Sequence, residues 1–274
     1  MEMQYAYSLC DCMEELEKIE SETFGRAEYL YMGSYFCDLY FIGISQSMWE
    51  ESFSFARRNK KTAVLVVPTP SQRNMEKLKE TICKLLRENG DVLKEVAVND
   101  FGMLRFIDGL GLHLSVWCGR LMSRETRDPR YPEFVQSNKL SQRMADGTLC
   151  GARVKGLELD TLGKETAEIT DKTMVSLHIP YTYITMGRYC ELGSIGLPPE
   201  KKFRLWDTCS RSCQHFWNVY RNDQADFLKY GRAVYAEGIQ VPEGNIHRLI
   251  YNGIFDKIHN LEKEDSKAER RRRT

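Results

Sequence analysis

The stretch that most limits the fold is residues 62–89. TAVLVVPTP, residues 62–70, is a continuous run of mostly β-branched residues, and NMEKLKETICKLLREN, 74–89, follows it directly. A strand without polar alternation is buried on both faces, so a helix must cover it. The helix carries Met75, Leu78, Ile82, Leu85 and Leu86 on one stripe, with Cys83 beside it. The pattern then restarts with a strand in VLKEVAVND, 92–100, a short helix in FGMLRFIDGLG, 101–111, and a strand in LHLSVWCG, 112–119. Strands alternating with helices form βαβ units and a parallel sheet. About seven such units fit the chain, which predicts an α/β fold, an incomplete or distorted (β/α) barrel over residues 1–264. The block Arg270–Arg273 marks 265–274 as a solvated basic tail.

Weaker signals fill in the remainder. Residues 11–24 read as a helix, Ala27–Met32 as a strand punctuated by Gly33, and 47–60 as a helix capped by Ser47. One helix is expected around 133–146 and another at Glu165–Asp171. Residues 153–163 read as a strand and turn, and 175–186 as one strand. Tyr235–Gln240 reads as an edge strand or a helix end, and 245–264 as a final amphipathic helix.

Charge excludes some functions. The chain has 39 basic and 39 acidic residues, which gives no general attraction to nucleic acid. No apolar run is long enough to span a membrane. The first twenty residues lack a basic region followed by an apolar one, so no secretory signal is expected and the cytoplasm is the expected compartment. No GxGxxG follows a strand, and GxxxxGK[ST] and HExxH are absent, as is any recognisable Ser–His–Asp order.

Nine cysteines in such a chain point to metal rather than disulfides. Cys190, Cys209 and Cys213 fall within the loop-rich stretch 174–220, and thiolates are the ligands of soft metals and iron–sulfur clusters. Cys37, just after the first expected strand, is the candidate fourth ligand. Zinc is the competing metal, since four cysteines also suit it. CSRSCQHF has Phe216 where a radical-SAM motif needs its third cysteine, and His215 is a weaker substitute ligand. Cys10, Cys12, Cys83, Cys118 and Cys150 read as ordinary thiols. Asn99, Asp100, Trp117, Cys118 and Glu158 lie at expected strand ends, where barrel chemistry sits. Asn99, Asp100 and Trp117, with His178 and Arg188, form a candidate substrate pocket. No catalytic residue is assigned.

Several short motifs, in order, carry a family resemblance. YLYMGSYFC places a cysteine shortly after a strand; VAVNDFGMLRFI, YITMGRYC and CSRSCQHFW follow. Together they resemble the collagenase-like peptidase family U32, most of all its UbiU- and UbiV-type iron–sulfur proteins of oxygen-independent ubiquinone hydroxylation. The resemblance implies a [4Fe–4S] cluster on Cys37, Cys190, Cys209 and Cys213, and a redox modification, such as hydroxylation, of a small substrate. It also implies a second related subunit or a redox partner. Met186 and Gly187 depart from the family's usual small polar residues. The alternatives from other classes are a non-catalytic scaffold held by a cluster or zinc, and a peptidase or peptide-binding protein.

Overall fold

The computed structural model describes residues 3–18, 22–122, 148–149, 151–160, 173–187, 190–202, 209, 211–221, 226–237 and 246–258. Strands β1 (Gln4–Ser8), β2 (Tyr29–Gly33), β3 (Thr62–Val67), β4 (Leu93–Val98) and β5 (Ser115–Cys118) run parallel and side by side. A small hairpin, β6 (Thr148–Leu149) and β7 (Ala152–Arg153), precedes β8 (Gly156–Leu159) and β9 (Met174–Ile179), which rejoin the sheet. Next comes an antiparallel sheet of β10 (Tyr181–Met186), β11 (Trp217–Arg221), β12 (Asp226–Tyr230) and β13 (Ala233–Glu237), in the order β10-β13-β12-β11. Strand β14 (Arg248–Asn252) lies between β9 and β1, and closes an eight-stranded parallel barrel.

The barrel is therefore complete, with an eighth strand that the sequence pattern did not separate from a helix. The described part of 245–264, residues 246–258, holds β14 and then helical residues 254–258. Strand β1 was also unmarked, being short and half polar. The expected helix at 11–24 is a 3₁₀ segment, Met13–Lys18, and a five-residue helix, α1 (Glu22–Arg26). The expected strand 175–186 is two strands that part at Pro180 and belong to different sheets. Tyr235 lies on β13, an inner strand of the antiparallel sheet. The helices expected at 133–146 and 165–171, and the tail 265–274, lie outside the described residues.

Helices are few. Cys37 caps α2 (Asp38–Ile42), and α3 (Gln46–Arg58) follows. The cap of α3 is Ser45 rather than Ser47: its Oγ accepts the Met48 amide at 3.2 Å. Trp49, Phe53 and Ala56 form the buried face of α3. On α4 (Met75–Glu88) the buried residues are Leu78, Ile82, Leu85 and Leu86, matching the predicted stripe. Asp100 caps α5 (Phe101–Gly109) by accepting the Met103 amide at 3.0 Å. Among the described residues no helix is long and apolar enough to cross a membrane.

Polar and aromatic side chains occupy the barrel interior in levels. At the end where strands begin, the fully buried Arg248 guanidinium donates to Tyr31 Oη at 2.9 Å and to Glu95 Oε2 at 2.8 Å. Trp117 Nε1 and Lys155 Nζ also donate to Glu95, at 2.8 and 2.7 Å. Burial raises the Glu95 pKa, but the hydrogen bonds and charges of Arg248 and Lys155 outweigh it, and the net shift is downward. Midway, His178 Nε2 lies 3.4 Å from Glu158 Oε2, both residues buried. Near the strand ends, buried Arg120 pairs with buried Asp160. Four rings surround this guanidinium, Tyr35 at 5.3 Å and Phe36, Tyr183 and Tyr235 each at 5.7 Å.

Candidate metal centre

The antiparallel sheet hangs over the end of the barrel where the strands finish, because β10 starts at the end of β9. The Tyr183 amide donates to Asp160 Oδ1 at 2.8 Å, which ties β10 to the loop after β8. Between this sheet and the loops after β1 and β2 lies a cavity of about 420 Å³. Cys37, Cys190, Cys209 and Cys213 all line it. Cys37 comes from the loop after β2, Cys190 from just after β10, and the other two from the turns before β11. The chain order alone separates these segments widely, and closure of the barrel under the capping sheet brings them together.

Local backbone geometry prepares three of the sulfurs. The Tyr40 amide donates to Cys37 Sγ at 3.4 Å, the Gly193 amide to Cys190 Sγ at 3.2 Å, and the Arg211 amide to Cys209 Sγ at 3.4 Å. Such N–H···S bonds hold a thiolate in place and tune an iron–sulfur centre. Arg211 reaches this position with φ 56°, a left-handed conformation uncommon outside glycine. Gly193 is wedged between two thiols: a Cβ there would stand 3.5 Å from Cys209 Sγ and 3.6 Å from Cys190 Sγ. Gln214 Nε2 lies 3.8 Å from Cys213 Sγ.

Burial pushes the Cys37 and Cys190 thiols up, and the N–H donors of Tyr40 and Gly193 pull against it. Cys213 is pushed up to about 12 by burial, then by the neighbouring Cys190 and Cys209. Thiols so shielded hold their protons until a cation replaces them, and a bound metal deprotonates them outright. A single zinc ion needs its sulfur ligands about 2.3 Å from one point. Among the described residues no three His, Cys, Asp or Glu side chains converge in that way. Four thiols around one cavity are the donor type that zinc and iron–sulfur clusters both take.

The remaining predicted residues have other positions. Asn99 Nδ2 donates to the Val67 carbonyl at 3.1 Å, and its Oδ1 accepts the Leu121 amide at 3.2 Å, so it staples the ends of β3 and β5. Asp100 is the cap of α5. Trp117 leans toward the opposite end of the barrel, with His247 stacked on it at 5.9 Å. His178 and Glu158 are inside the barrel, and Cys118 is buried. Asn99, Asp100, Trp117 and His178 do not line the cysteine cavity. Arg188 and Cys150 lie outside the described residues. Cys10 and Cys12 are fully buried, and His215 is exposed. No histidine is among the described residues that line the cavity.

Asp11 was not anticipated. It lines the cavity, and burial pushes its carboxyl up to about 7 against the hydrogen bonds of Ser34 and the Tyr35 amide. Its signal in the sequence was only its place between Cys10 and Cys12. Arg211, Arg232 and Lys201 supply positive charge to the wall, and Phe36, Tyr40 and Tyr235 supply rings.

No protein-family model matches the chain, and no curated protein matches it. Solved structures do. The U32 peptidase Mk0906 superposes with a TM-score of 0.50 at 9% identity, over 92% of this chain and 92% of that one. The ribulose-1,5-bisphosphate carboxylase/oxygenase of Pyrococcus horikoshii OT3 gives 0.45 at 11% identity, over 65% of this chain and 48% of that one. The spore cortex-lytic enzyme SleL of Bacillus megaterium QM B1551 gives 0.42 at 10% identity, over 91% of this chain and 70% of that one. At such identities the likeness concerns architecture: the chain has a U32-peptidase-like barrel fold.

Proposed function

We propose that this protein is an iron–sulfur protein holding a [4Fe–4S] cluster on Cys37, Cys190, Cys209 and Cys213. We further infer that it assists an oxygen-independent hydroxylation, or a related redox modification, of a small substrate. The observation that carries this reading is the convergence of four cysteines on one cavity, three of them with a backbone N–H donor on sulfur. When bound, the cluster would supply one-electron transfer. The chain's own residues do the rest. Phe36 and Tyr235, set edge to face at 5.9 Å, offer an apolar wall for a small ring-bearing molecule. Arg232, held by the Gly187 carbonyl at 3.0 Å and 3.7 Å from Asp38, offsets negative charge at the site. The capping sheet leaves all four cysteines only partly exposed.

Turning C–H into C–OH with oxygen from water releases two electrons and two protons. An electron-accepting partner, or a second related subunit carrying its own centre, must take the electrons. Peptide hydrolysis has less support, because the described lining offers no histidine to pair with a nucleophile.

The test is anaerobic purification followed by iron and sulfide quantitation, ultraviolet–visible absorption and EPR of the reduced protein. Four irons and four sulfides per chain are expected for the cluster. Each of Cys37→Ser, Cys190→Ser, Cys209→Ser and Cys213→Ser should lose them. Stoichiometric zinc without acid-labile sulfide would overturn the cluster in favour of the zinc-held scaffold.

A further inference from the structure

Asp11 links two of the cysteine segments and has no role in the reading above. Its backbone is left-handed, with φ 64°. Its carboxylate accepts the Ser34 hydroxyl through one oxygen and the Tyr35 amide, at 3.3 Å, through the other. Ser34 Oγ in turn accepts the amides of Cys37 at 2.9 Å and Phe36 at 3.3 Å. In the other direction the Asp11 carbonyl accepts Gln214 Nε2 at 3.0 Å and Tyr230 Oη at 3.2 Å. Gln214 is the residue after Cys213.

We propose that Asp11 is a positioning residue of the cysteine site, fixing Cys37 and Cys213 relative to each other across the barrel mouth. The carboxylate sets the Cys37 loop through Ser34. The carbonyl sets the Cys213 turn through Gln214. The left-handed turn lets one residue address both segments, and aspartate, asparagine and glycine tolerate it where alanine is strained. Cys190 and Cys209 take their geometry from the Gly193 and Arg211 amides instead. This inference rests on the cavity being the site, but not on which metal fills it.

The experiment uses full-length, metal-free protein and a short bifunctional maleimide, with cross-linked peptides identified by mass spectrometry. The rate of the Cys37–Cys213 link is divided by that of the Cys190–Cys209 link in the same sample. Asp11→Gly keeps the backbone but removes the carboxylate, and Asp11→Asn keeps an acceptor for Ser34. The ratio should fall about ten-fold in Asp11→Gly and Asp11→Ala, the scale of one lost buried hydrogen-bonding group. It should stay within about two-fold in Asp11→Asn. Should Asp11→Ala not fold, the other two variants carry the test, because neither strains the turn. A wild-type ratio in Asp11→Gly overturns the proposal. So does an equal loss of both links, or a ratio in Asp11→Asn as low as in Asp11→Gly. Iron and sulfide content of the anaerobic protein reads the cluster separately, so the two ideas fail independently.

Discussion

The two ends of this barrel spend their buried polar groups differently. Where strands begin, Arg248, Glu95, Lys155, Tyr31 and Trp117 satisfy one another in one network, with two cations on a single carboxylate. Where strands end, four thiols face an open cavity, three of them with a backbone donor on sulfur, and none of the four is paired with another side chain's charge in a closed network of that kind. The first arrangement is complete as it stands. On the function proposed above, the second is completed by a ligand that brings positive charge. The difference matches the general division of such barrels, with stability at one face and chemistry at the other.

The comparison breaks most visibly if the closed end proves dispensable. Arg248→Ala empties the space of a fully buried guanidinium and takes a donor from both Tyr31 and Glu95, which keeps Lys155, and should cost about 3 kcal/mol of unfolding free energy in denaturant titration. A cost near zero would mean that this end is not the stabilising one.

Glu158 sharpens the contrast from the middle of the barrel. Burial pushes its carboxyl up to about 8, against the pull of Arg120 and Arg248. The unfolded chain titrates this group near pH 4.3. Between those values the folded state holds a proton that the unfolded state has released. Stability therefore falls as pH rises from about 4.3 to 8, by up to a few kcal/mol, and flattens above. Glu158→Gln should reduce that slope in thermal unfolding, most clearly between about pH 7 and 8, above the value of about 7 to which Asp11 is raised. An unchanged slope would put the titration elsewhere.

Asp100→Ala tests whether the mouth residues are structural. Loss of the α5 cap should cost about 1 kcal/mol, with iron and sulfide content unchanged. A fall in iron would return Asp100 to the site.

The smallest stability effect belongs to the cysteines. In metal-free protein Cys190→Ser should change unfolding free energy by less than about 1 kcal/mol, although the same change should abolish cluster uptake. Cys83→Ser, on α4, should do neither.

The sequence made the fold legible where burial is two-sided. Residues 62–67 of β3 and the stripe of α4 announce themselves because nothing else explains a continuous apolar strand followed by a 3.6-residue period. Strand β14 stayed hidden because RLIYN sits in a longer stretch whose apolar residues also recur at helical spacing. Its five residues are held by β1 and β9, partners remote in sequence. Pro180 divides two strands of similar composition, so only the sheet each one joins tells them apart. At the candidate site, cysteine identity was readable and neighbourhood was not. Trp117 shows why: a residue at a strand's end can carry a side chain that leans back toward its start. Asp11 depends on a left-handed turn and two distant partners, and short-range pattern records neither.

Strand β14 has a further consequence, for the order of assembly. Its five residues supply the seam between β9 and β1, pairing Gln4 with Arg248 through Ser8 with Asn252. During synthesis, every cysteine-bearing segment leaves the ribosome before that seam exists. Until residue 252 has emerged, β1 and β9 keep open edges and the loops that carry Asp11 and Cys37 have no rigid base. Such long-range closure is slow compared with local helix formation. The barrel mouth thus acquires its final shape only after β14 has emerged and paired with both β9 and β1.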